Sequence, residues 1–576
     1  MSDRVEIMCD GEQYVVEASE GETLLNVLRE QLGVVSVKDG CAPQGQCGCC
    51  TVLIDGEPRV ACVTPATRAD GKHITTIGGL EPAVRDSLVD AFVACGGSQC
   101  GFCTPGIIVR VAALVARDRT GRVDIDRALA AHLCRCTGWQ PIVESIERAV
   151  APAIVPAPAA RVRDTRAAAR RAELEGGVAQ RVDRDVPFGA AGFADDAAPR
   201  DALVAIPRPP GSTADAVEAV GLEWVVAETL DEARRIAGKV QGRRTTRDDG
   251  PPLAPPVAPP GGVALATGWV EPAYLEPDAS WCEPGGEPAS PLANGGAFGG
   301  KRASLAPEAA RALETSTGRA VRVVYSREDT VRLGPKRPPI AATAVYEDGS
   351  VEIAGRVVRG DAPAVDVVSA YSIGIGSGWL RVDAPGPAVS SDVRAFGLAE
   401  QSVLVEGALA EAGVDRASIV SDRARPVLLD CAVQERSGAC AGARVHIGSD
   451  GLLASVAVRV AAGDPLDEVV LRSYALGAVH MALGWVLAEG LAVDRESGEV
   501  LGLTIRSFGI IRARDLPPVT ITVVDDPGPP LARASDAVFA AVAAAAWNAI
   551  TVAEGVRPTV FPATATRAAR SLRRAL

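Results

Sequence analysis

GCAPQGQCGCCTVLIDGEPRVAC, residues 40–62, sets a glycine-spaced cysteine loop directly before alternating apolar sequence. Cys41, Cys47, Cys50 and Cys62 read as one set of four, and Cys49 lies beside them. A second set follows in QCGFCTPG (99–106) and HLCRCTGW (132–139): Cys100, Cys103, Cys134 and Cys136. Two sets so close in sequence point to two neighbouring metal centres, and two centres make a path for electrons. Plant-type [2Fe–2S] loops use C-x4-C-x2-C followed by a distant cysteine. Here the loop runs Cys41-x5-Cys47-x2-Cys50, with Cys62 on the next strand. Gly40, Gly45 and Gly48 let the backbone turn tightly and aim N–H groups at sulfur. A zinc ribbon or free thiols are the alternatives, but zinc knuckles pair short CxxC units at both ends, which this set does not.

The surrounding sequence builds the frame. Residues 4–19 alternate around Asp10-Gly11, and TVLIDGEPRVAC turns at Asp55-Gly56, so two β-hairpins are expected. GETLLNVLREQLG (21–33) has helical apolar spacing ending at a glycine. Hairpin, helix, cysteine loop and hairpin resemble a β-grasp ferredoxin over 1–78. Residues 79–150 predict a helical bundle, with helices at 83–95, 105–117, 124–134 and 139–150 and the second cysteine set at their ends. Ala-, Pro- and Arg-rich sequence at 151–184 reads as a linker with a charged helix near 163–181. A small α/β region is expected over 185–241, a Pro-rich linker over 242–262 and a mixed α/β region over 263–576. The fold class is therefore α+β multidomain. In the last region strands are expected at 320–325, 341–347, 351–358, 443–448, 454–461 and 519–524. Helices are expected there at 305–316, 401–412, 468–492 and 535–553.

The net charge of −13 argues against nucleic acid as a partner. No apolar run reaches the ~18–20 residues of a membrane span, and MSDRVEIMCDGE lacks a signal pattern, so no membrane and a cytoplasmic location are expected. Eleven of 14 cysteines precede residue 137. In a long chain without a signal pattern, metal ligation is the better reading of that density than disulfides.

With these motifs in view, residues 1–150 resemble the iron–sulfur subunit of the xanthine dehydrogenase family of molybdenum hydroxylases. QCGFCTPG and LCRCTGW match its second-cluster signature. The resemblance implies a solvent-side [2Fe–2S] cluster on the β-grasp domain and a second [2Fe–2S] cluster on the helical domain, next to molybdopterin. Gln99 matches the position that hydrogen-bonds the pterin. The first loop departs by one extra residue within 42–46. Because Cys50 directly precedes Thr-Val as in the family, Cys50 is taken as the ligand and Cys49 as its neighbour, with Cys49 the alternative. Cys9 and Cys95 read as core residues.

The second half is similar to a shortened molybdopterin-binding subunit. PLANGGAFGGKR (291–302) resembles a GGGFGGK loop, which implies cofactor contacts from Gly295, Gly296, Phe298, Gly299 and Gly300. WVEPAYLEPDA (269–279), SREDTVRLGPKRPP (326–339), VRAFGLAEQSVLVEGAL (393–409), GAVHMALGWVLAEGLAVD (477–494) and RSFGIIRARDLPPV (506–519) follow in family order. Arg394 maps to a substrate-orienting arginine. The family's late G-x-G-E is not visible, and Asp536 falls at its place as the candidate base. The other reading of Asp536 is a cap opening an Ala-rich helix. His480 reads as a core histidine, and Cys431 and Cys440 lack partners at useful spacing.

The resemblance implies hydroxylation of an aldehyde, purine or N-heterocycle, with electrons passing through the two clusters. No FAD is implied in this chain, so a separate FAD-binding subunit or another acceptor is. The alternative is an electron-transfer subunit whose shortened half docks a complete molybdopterin subunit. An oligomer is expected in either case.

Overall fold

The computed structural model describes residues 2–150, 163–238, 245, 247, 249–291, 296–297, 299–360 and 369–572, with the backbone alone for 2 and 394–396. Gly295 and Phe298 of the glycine loop lie outside the described residues, as does the side chain of Arg394.

Both expected hairpins form. Ser2–Cys9 pairs antiparallel with Glu12–Ser19, and Thr51–Ile54 with Glu57–Val60. Asp10-Gly11 and Asp55-Gly56 take positive φ at both turn residues, which matches the right-handed twist of the flanking strands. Lys72–Thr75 joins the hairpins, parallel to the first strand and antiparallel to Thr51–Ile54. The helix expected over 21–33 is a single turn, Leu24–Asn26, capped by Thr23 and widened over Val27–Gln31. The bundle follows as Pro82–Cys95, Thr104–Val115, Arg122–Leu129 and Gln140–Val150.

Beyond residue 150 two expected boundaries are corrected. In the expected linker, Thr165–Gly176 is a helix capped by Asp164, with Ala168, Arg171, Ala172 and Glu175 buried. Ala168 and Ala172 pack on Val470 and Tyr474, so this segment is part of the fold and not a tether. The small α/β region does not stand alone either. Its strands Leu203–Pro207, Leu222–Ala227 and Val217–Ala219 share a sheet with Ala279–Cys282 and Val321–Val324. The Pro-rich stretch is therefore an excursion within a unit rather than a border between two.

The remaining sheets run Gly374–Val382, Ser350–Val358, Ile340–Glu347, Gly262–Thr267, Val560–Phe561, and Cys431–Gln434, Cys440–Ile447, Leu453–Ala461, Val519–Val523. Helices Arg394–Glu411, Glu468–Leu487 and Ala534–Glu554 pack with them around one Ala-, Val- and Leu-rich core. The last two helices correct the expectation about apolar length, since both are long and apolar enough to cross a membrane. Within their apolar windows 89% and 72% of residues are buried inside the fold, which marks them as core helices here.

Candidate metal centres

The first set converges from one loop and the strand end beside it. Cys41, Cys47, Cys50 and Cys62 are all buried. The N–H groups of Gln46 and Cys47 donate to Cys41 Sγ at 3.3 Å, and that of Cys62 to Cys50 Sγ at 3.4 Å. Positive φ at Gly45 and Gly48 makes this curl possible. The thiols adjoin in sequence: Cys47 with Cys41, Cys41 with Cys62, and Cys62 with Cys50. Hydrogen bonds from Cys47 and Cys62, followed by backbone N–H donors, hold the Cys41 thiol well below its ordinary value despite burial. A thiolate is the form that ligates metal.

The second set gathers at the bundle's helix ends. Cys100 Sγ lies 3.5 Å from Cys136 Sγ, and Cys103 adjoins Cys134. Hydrogen bonds from Cys103 and Cys136, then Thr137, pull the Cys134 thiol well below its usual range. Each set thus brings four thiols into a contiguous cluster, the ligand number a two-iron cluster takes. Among the described residues no three His, Cys, Asp or Glu side chains gather tightly enough to hold one ion. All eight donors are thiols, which fits sulfur-ligated [2Fe–2S] clusters.

The two sets touch. Leu133 N–H donates to Cys47 O at 2.9 Å, so a first-set residue is one hydrogen bond from the neighbour of Cys134. A Cβ on Gly106 would lie 2.5 Å from Gly48 O, which shows the helix Thr104–Val115 seated directly on the first loop. His132 fills the joint. Its Nδ1 faces Ala128 O, and its Nε2 faces Gly106 O and Thr51 Oγ1. Burial pushes its pKa down to about 4.

Residues from the far half close over both sets. Arg135, between Cys134 and Cys136, makes a two-point ion pair with Glu489 at 2.6 Å and 2.6 Å, and both side chains are buried. Trp139 Nε1 donates to Ile511 O. The helix Glu468–Leu487 lies against the second loop so closely that a Cβ on Gly477 would sit 1.8 Å from Cys136 O. On the first loop, Arg506 donates to Gln46 O and Ala130 O, and Gln44 bonds Leu503 O and Ile505 N. Gly477 and Glu489 lie in the quoted segment 477–494, and Arg506 and Ile511 in 506–519, but neither segment announces these contacts.

The residues expected at molybdopterin also make contacts within the protein. Gln99 donates both amide hydrogens inside the protein, to Cys136 O at 3.0 Å and Ser473 Oγ at 2.9 Å. Gly300 was expected to offer its N–H to a cofactor, but that N–H closes a turn onto Ala297 O at 2.8 Å. The spaces a Cβ would fill are occupied by Arg135 at Gly296, by Asp392 O at Gly299 and by Pro272 at Gly300. Gly296, Gly299 and Gly300 thus each sit at a close approach of another segment. Lys301, which ends this loop, is buried and paired with Glu276.

Arg394 opens the helix Arg394–Glu411. Asp536 is buried in the first turn of Ala534–Glu554, where an acidic side chain complements the helix dipole. The cap position belongs to Arg533 in the left-handed region, so the expected cap at Ser535-Asp536 is shifted. Ser535 N–H donates to Glu175 of the helix Thr165–Gly176. His480 is fully buried, with Nε2 on Ile511 O, which is a core environment. Cys431 and Cys440 are buried and contact backbone carbonyls.

Comparison with known proteins agrees with the paired thiol sites. Residues 7–76 match the family model of a 2Fe-2S iron-sulfur cluster binding domain, and 76–147 that of a [2Fe-2S] binding domain. The xanthine dehydrogenase iron-sulfur-binding subunit of Escherichia coli O157:H7 is 42% identical over 146 residues, covering 25% of this chain and 91% of that protein. The aldehyde oxidoreductase of Megalodesulfovibrio gigas is 46% identical over 138 residues, covering 23% of this chain but 15% of that protein. In structure, the aldehyde oxidoreductase of Desulfovibrio desulfuricans superposes with a TM-score of 0.73 at 15% identity, covering 99% of this chain. That likeness is one of fold.

Proposed function

The chain belongs to the family of xanthine dehydrogenase iron-sulfur-binding subunits, and from that premise we propose that it is the electron-transfer part of a molybdenum-hydroxylase-type oxidoreductase. Cys41, Cys47, Cys50 and Cys62 hold the first [2Fe–2S] cluster, and Cys100, Cys103, Cys134 and Cys136 the second. The clusters supply one-electron relay sites. The observation that carries this reading is the contact of the two cysteine loops through the backbone bond from Leu133 N–H to Cys47 O.

The polypeptide positions and insulates these centres. Local N–H groups stabilise sulfur charge, and the Arg135–Glu489 pair and the helix Glu468–Leu487 seal the second set from water. On the other side, a cleft of ≈ 300 Å³ lined by Ala42, Pro43, Gln44, Arg234 and Arg235 opens at the first loop. It offers an approach for a separate acceptor such as an FAD-binding subunit.

Oxidation of an aldehyde, purine or N-heterocycle belongs to the complex, and molybdopterin supplies the two-electron chemistry there. Gln99 and the described glycines are engaged within the protein, which supports placing that chemistry on a complete partner subunit. A catalytic lone chain, with Arg394 and Asp536 at its site, is the second reading. It draws support from the fold likeness to aldehyde oxidoreductase across 99% of the chain. Metal and pterin analysis of the purified chain separates them. About four Fe without Mo or pterin supports the electron-transfer reading. Four Fe with stoichiometric Mo and pterin supports the lone enzyme, and zinc in place of iron contradicts both.

A further inference from the structure

Five buried thiols, not four, meet at the first site, and the fifth has a distinct place. Cys49 is fully buried. Cys49 and Cys50 occupy the turn that leads into the strand Thr51–Ile54, and their side chains enter different cores. Cys50 packs into the β-grasp core with Cys62. Cys49 packs with Cys41, Cys47, Cys103 and the bundle core. Its thiol points to Cys47 O at 3.8 Å and is a hydrogen-bond neighbour of the Cys47 thiol. It is also near enough to Cys100 and Cys103 to feel their charge. The helix Thr104–Val115 clamps the same residue from behind, since a Cβ on Gly106 would lie 2.9 Å from Cys49 O.

We propose that Cys49 is a positioning residue that tunes the first cluster: unligated, its thiol lies beside Cys47 on the side facing the second set, and its S–H, which rests on Cys47 O here, turns to the Cys47 sulfur once that sulfur is a thiolate ligand. This inference rests on the two-cluster reading of the cysteine sets. A hydrogen bond to a ligand sulfur stabilises the more negative, reduced cluster and so raises its reduction potential. The seam position gives the effect a direction. It favours the electron on the first cluster over the second, and so its movement toward the solvent-side exit.

The test is an EPR-monitored redox titration of the full, cluster-loaded chain and of Cys49→Ala and Cys49→Ser. Both variants are expected to keep the full iron content, both cluster signals and their g values. Cys49→Ala should lower one midpoint potential and leave the other in place, by about tenfold in the reduction equilibrium, ~59 mV for one electron. Cys49→Ser, which keeps a donor, should shift less in the same direction. Loss of a signal, or altered g values in Cys49→Ser, would make Cys49 a ligand and overturn the proposal. Unshifted potentials in both variants would overturn it as well. If Cys49→Ala fails to load iron, the serine variant decides alone, by its g values and the sign of its shift. A parent chain without two [2Fe–2S] signals would instead defeat the two-cluster reading beneath it.

Discussion

The two cysteine sets hold the same number of candidate ligands by different means. In the first, the sulfurs take N–H groups from their own loop and strand, and positive-φ glycines make the curl. In the second, the sulfurs gather at helix ends, and much of the surrounding wall comes from more than 300 residues away: Glu489, Leu476, Gly477 and Ile511. The sulfur contacts of the first site are thus local, with Leu503, Ile505 and Arg506 reaching the outside of its loop, whereas the far half packs directly on the ligand loop of the second. On this comparison the far half has a clear role whether or not it reacts with a substrate: it packs on and fixes the second ligand loop.

The largest expected effect follows from the ion pair that embodies this difference. Arg135→Ala leaves Glu489 buried without its partner and should cost about 3–5 kcal/mol, read as a lower midpoint in denaturant or thermal unfolding of the loaded chain. It should disturb the second-set EPR signal and spare the first. Equal disturbance of both signals would erase the distinction between the sites.

A smaller effect should appear at the joint. His132 is held neutral, with its pKa lowered from 6.5 to about 4 by burial. The unfolded chain takes up this proton near pH 6.5 while the fold resists it until about 4. The contribution is therefore full above the upper value, declines as pH falls through that window and levels below it. Each pKa unit of difference is worth about 1.4 kcal/mol, so the total is a few kcal/mol. Denaturant titrations of wild type and His132→Gln between these pH values check it. The variant should lack this part of the acid-side loss, and parallel curves would remove His132 from the account.

What could be read in the sequence follows the same division. Both hairpins were legible because Asp-Gly marks their turns, and the cluster loops because their ligands lie within short spans. The long helices at 468–487 and 534–554 were legible from apolar content. The sheet joining 203–227 to 279–324 was not, since its strands pair across a Pro-rich excursion. The strand Gly374–Val382 was missed because it is glycine-rich and largely lacks buried residues. The glycines at 296, 299 and 300 were read as a ligand loop, and the structure shows Arg135, Asp392 and Pro272 at the positions a Cβ would take. Glycine marks close approach in either case, and only the tertiary structure shows what approaches. Arg135 stood inside a quoted motif, yet its partner Glu489 could not be found without the fold.

The most direct test of the central claim is the low-temperature EPR spectrum of the fully reduced chain. Two distinct [2Fe–2S] signals of equal intensity, each broadened by interaction with the other, are the expected result. A single signal, two signals without interaction, or no iron signal at all would contradict two touching centres built from these eight cysteines.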